Sequence, residues 1–154
     1  AGLSDAWLLR KISAIERALE GNRPNANDPM DVLSKVGGYE IAGMAGAFLG
    51  GMEQGVPIVI DGAISAAAAL LAARICPAAR DFMLPSHASR EPMARALLEA
   101  LDLQPPIHAD MALGEGTGAV MVFPLLDMAL RVYAGEHTFG NLGMEAYEPQ
   151  EGKP

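Results

Sequence analysis

Two carboxylates stand where an apolar run breaks into a turn, each beside glycine: Asp61-Gly62 after Pro57-Ile58-Val59-Ile60, and Glu115 between Gly114 and Gly116. Glycine at such a break lets a ligand come close to the backbone, because no Cβ intervenes. A carboxylate there can accept a proton from a bound substrate, or it can cap the helix that follows. Position alone leaves both roles open for Glu115. Further polar side chains fall at equivalent breaks: Ser86, Ser89 and His108.

Other chemistries fit less well. Gly114-Glu115-Gly116-Thr117-Gly118-Ala119 satisfies the G-x-G-x-x-G/A pattern of dinucleotide binding. No further strand follows to complete a mononucleotide-binding half, however, and no ribose-binding acid follows on a second strand, so an NAD enzyme is the third-ranked reading. His87, His108 and His137 lack the paired spacing of metal ligands, and Cys76 is the only cysteine, so the sequence calls for no metal and no cofactor. There is no G-x-S-x-G elbow to make Ser86 or Ser89 a nucleophile, and Ser89 reads as a helix cap. Lys11 and Lys35, by position, are solvated helix residues.

The elements that position these residues follow from periodicity. Leu8, Ile12, Ile15 and Leu19 mark an amphipathic helix capped by Ser4 and stopped at Gly21. Asp28-Pro29 opens a short helix that ends at Gly37-Gly38. Tyr39 to Met52 reads as a helix rich in small residues, where a neighbouring backbone approaches closely. Pro57 to Ile60 is the β-branched run of a buried parallel strand, followed by a buried helix from Ala63 to Ile75. The alternation repeats: a strand at Asp81 to Leu84, a loop from Pro85 to Ser89, and a helix marked by Met93, Leu97, Leu98 and Leu101. A third strand from Ile107 to Leu113 turns into a helix from Val120 to Val132, with Pro124 kinking it or sitting near its first turn. The pattern is α/β with a parallel sheet, whose strand ends gather Asp61, Ser86, Ser89, His108 and Glu115 on one side. From Gly135 onward no apolar period remains, and the tail reads as frayed or docked on a partner.

The 154 residues, 51% hydrophobic, suffice for one domain with an ordinary core. A net charge of −8 disfavours nucleic acid. A small anion still fits, because a few backbone N–H groups and one lysine dominate at short range. A lone cysteine excludes an internal disulfide and fits a reducing compartment. Ile58 to Ala73 is interrupted by Asp61 and Gly62 and is too short to span a bilayer, and the start has no signal peptide, so the chain reads as cytoplasmic, soluble and free of membrane contact.

Three segments in order carry a family resemblance: Asp28-Pro29-Met30-Asp31-Val32-Leu33-Ser34-Lys35-Val36-Gly37-Gly38-Tyr39-Glu40-Ile41-Ala42-Gly43-Met44-Ala45-Gly46, then Val59-Ile60-Asp61-Gly62-Ala63-Ile64-Ser65, then Leu113-Gly114-Glu115-Gly116-Thr117-Gly118-Ala119. From about Gly2 to Phe139 the chain resembles the C-terminal half of nicotinate-nucleotide:dimethylbenzimidazole phosphoribosyltransferases. The resemblance implies a Rossmann-like three-layer parallel sheet with flanking helices, an incomplete part of a larger domain spanning residues 1–139, with 140–154 as a tail. It implies transfer of the phosphoribosyl group of nicotinate mononucleotide to 5,6-dimethylbenzimidazole, with Glu115 as the general base. By motif, Lys11 matches a position that binds the substrate phosphate. Asp61, Gly62, Ser89 and Leu113, with Gly114 and Gly116, match the nucleotide pocket. A homodimer is also implied.

The family usually places arginine where this chain has Ala112, and its N-terminal half has no counterpart in these residues. A second reading therefore stands beside the first: a noncatalytic nucleotide-binding or assembly module of the same fold.

Overall fold

The computed structural model describes residues 5–135, 138–145 and 148. The Ser4 cap, His137 and the tail positions Pro149, Glu151, Gly152 and Pro154 lie outside them.

Helices form where the apolar period and caps demand. α1 (Asp5–Asn22) carries the expected stripe, and α2 (Pro29–Val36) begins where the Asp28 carboxylate accepts the N–H groups of Met30 and Asp31 at 3.0 and 3.2 Å. α3 (Tyr39–Glu53) packs on α4 (Ala63–Ile75). Their contact is built from small side chains, Ala45 against Ala66, Ala68, Ala69 and Ala72, with Phe48, Met83, Leu98 and Leu101 closing the core. Close packing of this kind offsets the poor helix propensity of the glycines in α3.

The close approach is narrower than the small-residue run suggests. At Gly51 a Cβ would meet the Ile58 side chain at 2.6 Å and the Val56 carbonyl at 2.8 Å. Gly43, Gly46 and Gly50 face open space instead.

Between helices lie short parallel strands. β1 (Ile58–Ile60) pairs with β2 (Met83–Pro85), and β3 (His87–Ser89) pairs with β4 (Ile107–Met111). Only Ser86 separates β2 from β3, and its N–H donates to the Ile60 carbonyl at 3.1 Å, so one extended passage lies between β1 and β4. Ile60 is buried, whereas Ile58 and Val59 are half-buried. α5 (Pro92–Ala100) and α6 (Thr117–Tyr133) complete the described elements.

Three local expectations are corrected. Asp81 and Phe82 belong to a 3-10 helix (Pro77–Phe82) rather than to a strand. Residues 87–89, expected within a loop, form β3, because β4 supplies a ladder that proline and serine content alone does not reveal. α6 starts at Thr117, ahead of Val120, and holds Pro124 in its interior, where the Val120 carbonyl loses its usual donor.

Part of the apolar surface stays uncovered. Leu8, Ile12, Ile15 and Leu19 on α1 are exposed, as are Val120, Phe123, Met128 and Leu130 on α6. Among the described residues no helix is long and apolar enough to cross a membrane. Past α6, Met144 N–H bonds the Phe139 carbonyl at 2.8 Å, so residues 139–144 close a turn. Cys76 is half-buried with its Sγ 3.6 Å from Met52 Sδ.

The glycines of α3 separate by substitution. Gly46→Ala should stabilise this chain by up to about 1 kcal/mol through helix propensity. Gly51→Ala should destabilise it by about 1–3 kcal/mol through overpacking against the Val56 carbonyl. Urea unfolding of the two variants reads both signs.

Candidate active site

β1 delivers Asp61 at its carboxyl end, and the turn into α4 is held by a serine. Ser65 Oγ accepts the N–H groups of Asp61 and Gly62 at 3.0 and 3.1 Å and donates to the Gly62 carbonyl. The N-cap Gly62 has no side chain of its own, and Ser65, in the first turn, reaches back to the two N–H groups just ahead of the helix.

The Asp61 side chain reaches across to a different element. Its Oδ2 accepts the Gly116 N–H at 3.0 Å and its Oδ1 the Ala119 N–H at 3.1 Å. Gly116, the N-cap of α6, cannot cap it, so a carboxylate from a strand 55 residues earlier does. The positive end of the helix dipole and the two N–H groups stabilise that charge.

Glu115 precedes this cap within a left-handed stretch: φ is +71° at Gly114, +57° at Glu115 and +80° at Gly116. A non-glycine residue in this region costs about 1–2 kcal/mol. Arg23, Asp102 and Asp110 also have positive φ, but of these four only Glu115 lines the cavity in question. Strain kept at a cavity wall points to use of the side chain it carries.

The cavity has a volume of about 460 Å³, within the range of small-molecule sites. Asp61, Gly62, Ser89, Leu113, Gly114, Glu115 and Gly116 all border it, so of the five strand-end polar residues Asp61, Ser89 and Glu115 meet around one hollow. Asp61 is half-buried there with both oxygens engaged, while Glu115 and Leu113 are exposed at the rim. Ser89 Oγ accepts the Glu91 N–H at 3.2 Å; the N-cap of α5 is Glu91, so Ser89 shapes the turn ahead of the helix instead of capping it.

Other expected residues fall elsewhere. His108 lines a separate concavity of about 690 Å³ between α5 and the β3–β4 pair, which shares only Ser89 with the first. Its arginines are held by neighbours, Arg90 by Asp110 at 3.1 Å and Arg95 by Glu99 at 2.8 Å. His108 thus leaves the strand-end cluster. Ser86 is buried beneath the cavity and does not line it. Lys11 lies exposed on α1, which packs chiefly on α2, and is not part of the lining.

The structure adds residues that the sequence reading passed over: Met44, Ile64, Ser65, His87 and Glu91. His87 adjoins a serine in a polar break, which was a weak signal. Met44 carried none beyond its place on α3. The lining contains the carboxylates of Asp61, Glu91 and Glu115 and neither lysine nor arginine. An anionic ligand would therefore rely on the first-turn N–H groups of α4 and on cations from outside this lining. Among the described residues no cluster of His, Cys, Asp and Glu is arranged to hold a metal.

Comparison with known proteins gives the family. Residues 1–143 match the family model described as phosphoribosyltransferase. The nicotinate-nucleotide–dimethylbenzimidazole phosphoribosyltransferase of Acetivibrio thermocellus is 50% identical over 150 residues, 97% of this chain and 43% of that protein. The protein of the same name from Chloroflexus aggregans is 50% identical over 143 residues, 93% of this chain and 40% of its own. The crystal structure of CobT from Thermus thermophilus superposes with a TM-score of 0.84 at 43% identity, covering 94% of this chain and 43% of that one. This chain therefore spans less than half the length of these relatives, matching their C-terminal half. With an α/β scaffold, a strained Gly-Glu-Gly turn at the cavity wall and a family match over nearly its whole length, the chain belongs to the phosphoribosyltransferase family.

Proposed function

We propose that the complete protein carrying this chain transfers the phosphoribosyl group of nicotinate mononucleotide to 5,6-dimethylbenzimidazole, with Glu115 as general base. The carrying observation is the Glu115 carboxylate, held by a strained turn at the rim of the cavity that Asp61, Ser89 and Leu113 border. One ring nitrogen of the benzimidazole attacks C1′ of the ribose. The C1′–nicotinate bond breaks with its electron pair, and the proton on the other ring nitrogen passes to Glu115, giving α-ribazole 5′-phosphate and nicotinate. A base must reach the proton that it removes, and a rim position open to an incoming ring allows it. Displacement at an anomeric carbon depends chiefly on holding the reactants in line, so the cavity walls contribute positioning rather than covalent chemistry.

Roles for the other walls follow from the same reading. The first turn of α4, after Asp61-Gly62, offers N–H groups to an anionic group. Ser89, Leu113, Gly114 and Gly116 form the nucleotide wall, and Lys11 supplies phosphate charge once the remainder of the protein brings the mononucleotide over α1. That remainder also covers the exposed stripe of α1 and completes the benzimidazole pocket. On this reading the whole protein acts as a cytoplasmic homodimer with no cofactor; the lone cysteine of this chain, Cys76, fits a reducing compartment.

Glu115→Gln in the complete protein should lower kcat by about 10²–10⁴-fold while the melting temperature holds. Turnover at the parent rate would reject the base assignment. Asp61→Asn puts an amide NH₂ against a backbone N–H, costing about 1–3 kcal/mol, and should lower both the melting temperature and kcat. The isolated chain should release no nicotinate, whereas the complete protein does; a complete protein that binds nicotinate mononucleotide in a calorimeter without turnover would favour the noncatalytic module.

A further inference from the structure

At the start of β3 lies a buried polar pair that the proposed chemistry leaves unused. Ser86 and His87 are 1% and 5% exposed, with Ser86 Oγ 2.9 Å from His87 Nδ1. The same hydroxyl lies 3.3 Å from the Asp61 backbone carbonyl as a donor. With the hydroxyl proton on that carbonyl, the Nδ1–H of His87 donates to Ser86 Oγ. Hydrogen-bonded polar groups in a core define one geometry, which an apolar ring of equal size would not.

The imidazole is seated against the first turn of α6. Gly118 is buried, and a Cβ added to it would overlap Nδ1, Cε1 and Cγ of His87. Only glycine lets the ring lie flush on that backbone. The same helix start is bound by the Asp61 carboxylate, which takes Gly116 N–H and Ala119 N–H. The contacts close a circuit: the Asp61 backbone to Ser86, Ser86 to His87, His87 to Gly118, and the helix start back to the Asp61 side chain. Glu115 is the residue immediately before this clamped turn.

We propose that His87 is a positioning residue for the reaction, its ring wedged under Gly118 and tied through Ser86 to Asp61 so that Glu115 stays over the cavity. The proposal rests on the reading of Glu115 as the base. Misplacing a reacting group by about 1 Å can cost on the order of 100-fold in rate with little change in substrate binding. The loss should therefore appear in kcat and not in KM.

A double-mutant cycle in the complete protein tests it, because the methyl that Gly118→Ala introduces fits once the ring is gone. Gly118→Ala alone should lower kcat by about 100-fold, the larger value of the positioning effect, and His87→Ala by about 10-fold, with KM for nicotinate mononucleotide within about 2-fold of the parent. The combined variant should recover to at least about 10-fold above Gly118→Ala. A double variant no better than Gly118→Ala, or a His87→Ala defect carried by KM, overturns the proposal and makes His87 a direct substrate contact or plain filler. Should Gly118→Ala fail to fold, Ser86→Ala decides instead: kcat down by about 5-fold or more at unchanged KM supports the tie, and parent kcat overturns it. Glu115→Gln in the same preparation separates the two claims. If that variant stays active the base assignment fails, whereas an inactive Glu115→Gln beside a failed cycle rejects His87 alone.

Discussion

The site depends on one carboxylate satisfying a helix that lacks its own cap. Asp61 leaves β1 with its backbone N–H bound to Ser65 and its side chain bound to Gly116 and Ala119, so the starts of α4 and α6 are joined through a single residue. Four N–H groups at a helix start require acceptors, and glycine at the N-cap provides none from a side chain. Meeting that requirement from a strand brings two strand ends together, and the cavity is the space between them. Glycine at 114 and 116 then makes a left-handed turn accessible, and Glu115 bears the remaining strain.

The electrostatics divide the labour. Asp61 has its charge absorbed by α6 and acts as a brace, whereas Glu115 and Glu91 line the hollow nearer to solvent. A lining without arginine or lysine suits a base more readily than a phosphate cradle. A phosphate-bearing substrate is then accommodated by helix N–H groups and by charge brought from outside the lining. The net charge of −8 matters little to this arrangement, since screening confines surface charge to about 10 Å.

The outer faces are open in this chain. The stripes of α1 and α6 are apolar and exposed, and the small-residue side of α3 at Gly43, Gly46 and Gly50 has open space above it. Relatives more than twice as long as the matched segment have further chain with which to cover such faces. The α3–α4 core, sealed by alanines and Phe48, does not need that cover.

The residues alone determined what local chemistry controls. The Asp28 cap with Pro29, the apolar periods of α1 and α5, the β-branched run of β1 and the placing of Asp61 and Glu115 at strand ends all depend on neighbours a few positions away, and each was legible. Tertiary structure decided what depends on distant partners. The start of α6 is set by Asp61, β3 is a strand only because β4 lies beside it, and the tight contact of α3 is at Gly51 because Val56 and Ile58 return there. His87 entered the cavity lining and His108 left it for the same reason. Adjacent side chains on a strand point to opposite faces, and which face becomes the site is fixed only when the strand pairs and its helices pack.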